Sequence, residues 1–204
     1  MEHIEIILTG FFTLVSTALV GYYAYNQKTK DKMTDLKIEQ VKKENEEKSA
    51  KNNRYTGIIF GELWHLLNRL ETDRCFILQP HPAGRSLYVS VILEVCRKSI
   101  SSVKNVVRNV PVSDISQFAK ALATIEYLHI DDVDTEVDDM RAKSLMKMSG
   151  STHLSIRQLI NFDHEWVGSL VVENLGQREI DHELTEEMMR SVAHTIQFIL
   201  PPIN

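Results

Sequence analysis

Ile6 to Tyr25 (IILTGFFTLVSTALVGYYAY) is a run of twenty residues without a charged side chain, and it constrains this chain more than any other stretch. As a helix rising about 1.5 Å per residue it would span roughly 30 Å, the hydrocarbon thickness of a bilayer. A cleaved signal peptide would want a basic start, a shorter apolar core and a small-x-small cleavage site. Here Met1-Glu2-His3-Ile4-Glu5 precedes the run, and bulky Tyr22, Tyr23 and Tyr25 close it. These flanks predict a retained transmembrane helix over residues 1–25, with its tyrosines at the lipid interface.

Lys28, Lys30, Lys32, Lys37, Lys42 and Lys43 follow the run, and only His3 precedes it among basic residues. The positive-inside rule then predicts a single-pass protein of the cell inner membrane, N-terminus outside and main domain cytoplasmic. Two cysteines, Cys75 and Cys96, make no disulfide framework and fit a reducing compartment. Thr9, Thr13, Thr17 and Gly21 recur at i, i+4, so this face could receive a second membrane helix. The alternative is that the hydroxyls bond their own i−4 carbonyls and face lipid.

Residues 26–54 are highly charged, of mixed sign, and contain neither Gly nor Pro. Glu39/Lys43 and Glu44/Lys48 sit at i, i+4 with the acid first, which supports a helix. Met33, Leu36, Ile38 and Val41 do not hold a heptad over three repeats, so the reading is a solvated helical stalk, weakly paired at most, and not a strong coiled coil.

The composition changes at Tyr55. Residues 55–204 are near the modal size for one domain. Ile59, Leu63, Leu66, Leu67 and Leu70 predict an amphipathic helix over 52–72. Strands are predicted at Cys75–Gln79, stopped by Pro80-His81-Pro82-Ala83-Gly84, and at Leu87–Val95, apolar on both faces and therefore covered on both. Ser113 reads as the cap of a helix to Ala123. A short strand, Tyr127–Ile130, enters the acidic loop Asp131-Asp132-Val133-Asp134, and a helix over 137–148 ends at Gly150. Leu154–Ile160 and Glu165–Glu173 form a hairpin, and Thr185 reads as the cap of a closing helix. This order predicts an α+β fold: an antiparallel sheet sandwiched by helices, the first and last on one face and the middle ones on the other.

Leu154-Ser155-Ile156-Arg157-Gln158-Leu159-Ile160 with Trp166-Val167-Gly168-Ser169-Leu170-Val171-Val172-Glu173-Asn174 resembles the last two strands of the GAF domain family, relatives of PAS domains. Thr185-Glu186-Glu187-Met188-Met189-Arg190-Ser191-Val192-Ala193 resembles that family's closing helix, and Leu128-His129-Ile130-Asp131-Asp132 the strand entering its ligand-side loops. The likeness covers about residues 55 to 200. It implies a sensory or regulatory module that binds a small molecule between the sheet and the middle helices, or a dimerisation unit. The Asn-Lys-x-x-Phe-x-x-x-Asp-Glu signature of the family's cyclic-nucleotide binders is absent. No cysteine lies in the middle helices to attach a phytochrome-type chromophore, and Cys75 and Cys96 do not match the cysteines of its methionine-sulfoxide-reducing members.

No catalytic motif emerges. Asp131, Asp132, Asp134, Glu136, Asp138 and Asp139 lack the glycine and distal bidentate Glu of a calcium loop, so a solvated acidic loop is the reading. Asp163-His164-Glu165 and Asp181-His182-Glu183 read as surface turns. No histidine pair has the helical spacing of a zinc site, and neither a metal nor a cofactor is predicted. Ser191 and His194 share the last helix without an evident third orienting acid. Ser90, His129 and Arg157, polar residues on apolar strands, are the candidates for a ligand pocket. A buried Arg or His needs a partner, either a ligand anion or an internal carboxylate such as Glu94. The net charge of −5 offers no basic patch for nucleic acid.

The leading expectation is a non-enzymatic, membrane-anchored regulatory protein. Its partners would be the lipid bilayer, a second copy held through the first and last helices of the soluble domain, and a small-molecule ligand. A phage holin or lysis regulator is the alternative from another class.

Overall fold

The computed structural model describes the backbone of residues 2–176, 181–201 and 203. Before residue 37, side chains are described only at Thr17, Tyr22, Tyr23 and Gln27. The chain divides into two compact units, Met1–Lys51 and Asn52–Asn204. The first helix, α1 (Glu2–Arg69), includes the uncharged run, the charged stretch after it and the start of the second unit. Among the described residues, no helix is long and apolar enough to cross a membrane. The side chains of Ile6–Tyr25 as a membrane span fall largely outside the described residues, and so do Thr9, Thr13 and Gly21 of its contact face.

In the second unit, β1 (Arg74–His81), β2 (Tyr88–Cys96), β3 (Val110–Pro111), β4 (Tyr127–Ile130), β5 (His153–Ile160) and β6 (Trp166–Asn174) form one sheet in the order β3-β2-β1-β6-β5-β4. All its pairings are antiparallel. Alternation along the strands splits the apolar residues between two cores. Cys75 and Ile77 of β1 and Leu170 and Val172 of β6 pack with Ile59, Leu63, Leu66 and Leu67 of α1. Met189, Val192, Ala193 and Ile196 of the last helix, α5 (His182–Ile196), complete that core. Phe76, Leu78, Leu154, Ile156 and Val171 face the other way, toward three short helices. These are α2 (Ser116–Thr124), α3 (Val133–Glu136) and α4 (Met140–Ser149). The α+β sandwich therefore has the layers that the sequence predicts.

A bulge explains why β2 reads as apolar on both faces. Leu78 pairs with Val91, and Ile77 pairs with Leu93, which leaves Ile92 without a partner on β1. The extra residue reverses the alternation, as bulges do. Val89 and Val91 join the core under α2–α4, Leu93 and Val95 join the other, and Glu94 turns to the α2–α4 side.

Several local expectations need correction. β1 runs on through Pro80 and His81, past the predicted stop. Ser113 caps nothing; it lies inside a 3-10 turn, Val112–Ile115, and α2 starts after it. The helix predicted over 137–148 starts later, as α4, capped by Asp139, whose Oδ1 accepts from Arg141 N and Ala142 N. The predicted acidic loop before it contains a separate short helix, α3, capped by Asp132. Thr185 does not cap α5. Asp181 does, accepting from Leu184 N, while Thr185 is buried with its hydroxyl unbonded. A capping carboxylate four residues upstream offers the stronger acceptor, charged and aligned with the helix dipole.

Gly150 ends α4 as expected, by a Schellman motif: its N–H donates to Lys147 O, and Ser151 N–H to Met146 O, both at 3.0 Å. Its φ is 77°, and an added Cβ would meet only Leu175 Cδ2 at 3.6 Å. Gly150→Ala therefore strains only the backbone. It is expected to cost about 1–2 kcal/mol in urea denaturation.

Candidate functional site

The three predicted ligand residues share one face of the sheet but do not converge. Ser90 pairs with Gln79, His129 with Ser155 and Arg157 with Tyr127, all on the side of α1 and α5 rather than α2–α4. Ser90 Oγ bonds His81 Nε2 at 2.9 Å and accepts from Asn109 N at 2.7 Å. Arg157 is buried and donates from Nη2 to exposed Glu126, not to Glu94; its Nη1 has no partner. The idea of one pocket built from these residues is therefore replaced by three separate environments.

His129 lies in the most polar of them. Its Nδ1 bonds Ser155 Oγ at 2.8 Å, and its Nε2 bonds Asp131 Oδ1 at 3.0 Å. Tyr127 O–H donates to the same Ser155 Oγ at 3.2 Å. His182, in the first turn of α5, reaches Asp131 Oδ1 at 3.2 Å, and the two imidazole centroids are 3.5 Å apart. Burial pushes the His129 pKa below its ordinary value. The Asp131 hydrogen bond opposes that shift, and nearby His182 reinforces it. The hydrogen bond from His129 holds the exposed Asp131 carboxyl below the usual range. Read as a surface turn, His182 was missed by sequence reasoning. No local signal marked it, because Asp131 and His182 are 51 residues apart in sequence.

Several other acidic residues of the loop serve structure. Asp132 and Asp139 cap helices, and Asp134 pairs with Lys147 at 2.5 Å.

On the opposite face, where the resemblance implies a ligand, the cavity is only about 60 Å³. Phe76, Leu78, Phe118, Leu122, Leu145 and Met146 fill the space, and Ser151 and Glu173 close one end. There Arg74, opposite Glu173 in the strand register, donates to Glu173 Oε2 from Nε at 3.1 Å and from Nη2 at 2.5 Å. It also donates to Ser101 O at 2.8 Å and Ser149 O at 3.2 Å, and its Nε lies 3.9 Å from Glu94. Ser151 Oγ donates to Glu173 as well. Burial pushes the Glu173 carboxyl up from its ordinary value, against the pull of Arg74 and Ser151. Every partner here is internal, so the cluster is a structural clasp. Cys75 offers no reactive thiolate: burial pushes its pKa up to about 12.

A larger cleft, about 830 Å³, opens at the β5–β6 hairpin end of the sheet. Trp166, Val167, Ala119, Ala123 and Leu200 supply its apolar walls, with Lys120 and Glu165 at hand. Phe162 and Phe198 stack beside it at 4.2 Å. Gln79 belongs to its wall, donates from Nε2 to Pro201 O at 3.1 Å, and keeps a buried Oε1 without a partner. Nothing in the sequence marks this cleft, because its lining comes from four distant stretches.

The sheet order and its helices match solved structures. A GAF domain from Synechocystis sp. in its photoproduct state superposes with a TM-score of 0.58 at 13% identity, covering 70% of this chain and 90% of that one. The fold is GAF-like. The blue-light-absorbing form of the PixJ GAF domain of Thermosynechococcus elongatus gives a TM-score of 0.57 at 9% identity, covering 72% of this chain and 88% of that one. A phycoerythrobilin-bound GAF domain from a cyanobacterial phytochrome gives 0.54 at 20% identity, over 73% and 91%. No family model and no curated protein matches the sequence. At these identities the likeness of the GAF-like domain speaks to its fold.

Proposed function

We propose that this chain is a non-enzymatic sensory or regulatory module with a GAF-like domain, anchored in a membrane by residues 6–25. The observation that carries this reading is α1. One helical element, Glu2–Arg69, includes both the uncharged run and the stripe Ile59, Leu63, Leu66 and Leu67 buried against the sheet. A change in the sheet's packing therefore acts on the same helix that contains the run. The lysines after the run support a single span of the cell inner membrane with the GAF-like domain in the cytoplasm. Pairing through α1 and α5 into a homodimer is supported by exposed Ile58 and Trp64 on the first and Leu184 on the second.

The ligand of such a module would enter the hairpin-end cleft. Its volume falls within the roughly 300–1,000 Å³ of small-molecule sites, whereas the cavity under α2–α4 is several-fold too small. A bilin like that of the phytochrome neighbour is therefore not the proposed ligand, and α2–α4 carry no cysteine to attach one.

Expressed in bacteria, the full chain is expected to stay with membranes through alkaline carbonate extraction. Val15→Arg, costing about 2.5–3.5 kcal/mol at the centre of a span, should release much of it. Wild-type protein recovered in the soluble fraction would defeat the anchored reading, and permeabilisation of the cells on induction would favour the holin-type alternative.

A further inference from the structure

Three metal-binding side chains meet where β4 ends and α5 begins, and neither the cleft nor the anchor uses them. His129 Nε2, Asp131 Oδ1 and His182 Nε2 lie within 4.8 Å of one another. We propose that His129, Asp131 and His182 form a binding site for a divalent transition-metal ion, zinc being the ion whose chemistry fits best.

The donor set selects the ion class. Two imidazole nitrogens and one carboxylate oxygen suit zinc and its first-row neighbours, whereas calcium and magnesium want oxygen alone. The geometry is close to what zinc requires. Ligand bonds near 2.1 Å in a tetrahedron place donor atoms about 3.4 Å apart. Both nitrogens already sit 3.0 and 3.2 Å from Asp131 Oδ1, so a small outward movement opens the site. The side chains of Asp131 and His182 are 64% and 55% exposed, which lets them make that movement and leaves the fourth position to water.

Ser155 sets this arrangement apart from a chance surface cluster. Fully buried on β5, it holds Nδ1 of His129 and so fixes Nε2 on the side of Asp131. Ligating histidines commonly bind a second group through the other ring nitrogen, which fixes tautomer and orientation. With metal on Nε2, the one proton of the neutral ring sits on Nδ1 and is donated to Ser155 Oγ. Ser155 Oγ has two lone pairs, so it accepts from His129 Nδ1–H while still accepting from Tyr127 O–H, 3.2 Å away. Position 182 is 51 residues from Asp131 in sequence. A bound ion would therefore tie the first turn of α5 to the sheet's β4 edge and make the docking of that helix metal-dependent.

The test is zinc chloride titrated into the full-length protein without a polyhistidine tag, in competition with a chromophoric chelator, alongside thermal unfolding. One zinc per chain and a raised melting temperature are expected. His182→Ala, at an exposed position, and Asp131→Asn, nearly isosteric, should each weaken binding more than about a hundredfold, since loss even of a supporting partner costs ten- to a hundredfold. Both should abolish the thermal shift. His164→Ala, on the exposed hairpin turn, should change neither. Wild type binding zinc no more tightly than His182→Ala, or His164→Ala weakening binding as much, overturns the proposal.

Discussion

Arg74→Leu is expected to destabilise the GAF-like domain by about 3–5 kcal/mol, the range for breaking a buried ion pair from one side. The guanidinium is 1% exposed and serves four groups: Glu173, Glu94 and the carbonyls of Ser101 and Ser149. Leucine removes all these donors at once and fills only part of the volume. Glu173 is then left buried with Ser151 as its remaining donor, and the end of α4 loses its link to β1. Against a total of about 5–15 kcal/mol for a typical domain, the loss is large. Urea denaturation of the full chain, followed by the fluorescence of Trp64 and Trp166, would measure it. The double variant Arg74→Leu with Glu173→Leu should recover much of the loss, because replacing both partners leaves no uncompensated charge at that pair. Glu94 keeps Ser102 Oγ and Val103 N as donors in that background. A double variant no better than the single one would show that Arg74 acts mainly through the two carbonyls.

Leu63→Ala is expected to cost about 2–5 kcal/mol by the same measurement, as large-to-small changes in a packed core do. Leu63 is fully buried, on the face of α1 that meets Ile77, Leu170 and Met189. The sheet on one side and α5 on the other limit how far the site can collapse around the missing atoms. His65→Ala, two residues on and exposed, should stay within about 0.5 kcal/mol. The contrast checks that α1 holds the sheet by one stripe. Equal effects at both positions would mean that α1 does not pack as described.

The sequence made the two-faced sheet legible because apolar spacing survives in it directly. The helical stripe from Ile59 to Leu67, the alternation in Leu154–Ile160 and the amphipathic closing helix each name a face, and together they name the layers. Helix caps were less legible. Ser113 and Thr185 have a capping side chain in a plausible place, yet α2 starts at an N-cap without a side-chain bond and Asp181 holds the start of α5. Several candidates within a few residues look alike until the backbone has chosen one. The bulge at Ile92 left only an ambiguous trace, three apolar residues in succession, and its consequence for Glu94 could not be read from that.

The site was hardest to read. His129 stood out as a polar residue on an apolar strand, but its partners lie on β5, in the following loop and 53 positions away on α5. Arg157 and Ser90 stood out for the same reason and turned out to have local partners of their own.

The sequence alone determined that residues 6–25 are an uncharged run of membrane length, that a charged stretch with helical spacing follows, and that the rest has the spacing of an α+β sandwich. Those properties are local: each depends on which residues follow one another within a few turns. Only the tertiary structure decided that the position where the resemblance implies a ligand is filled by Phe76, Leu145 and their neighbours, that open space lies instead at the hairpin end, and that His129, Asp131 and His182 meet. Those depend on how side-chain volumes fill a shared interior and on which distant segments the sheet places side by side.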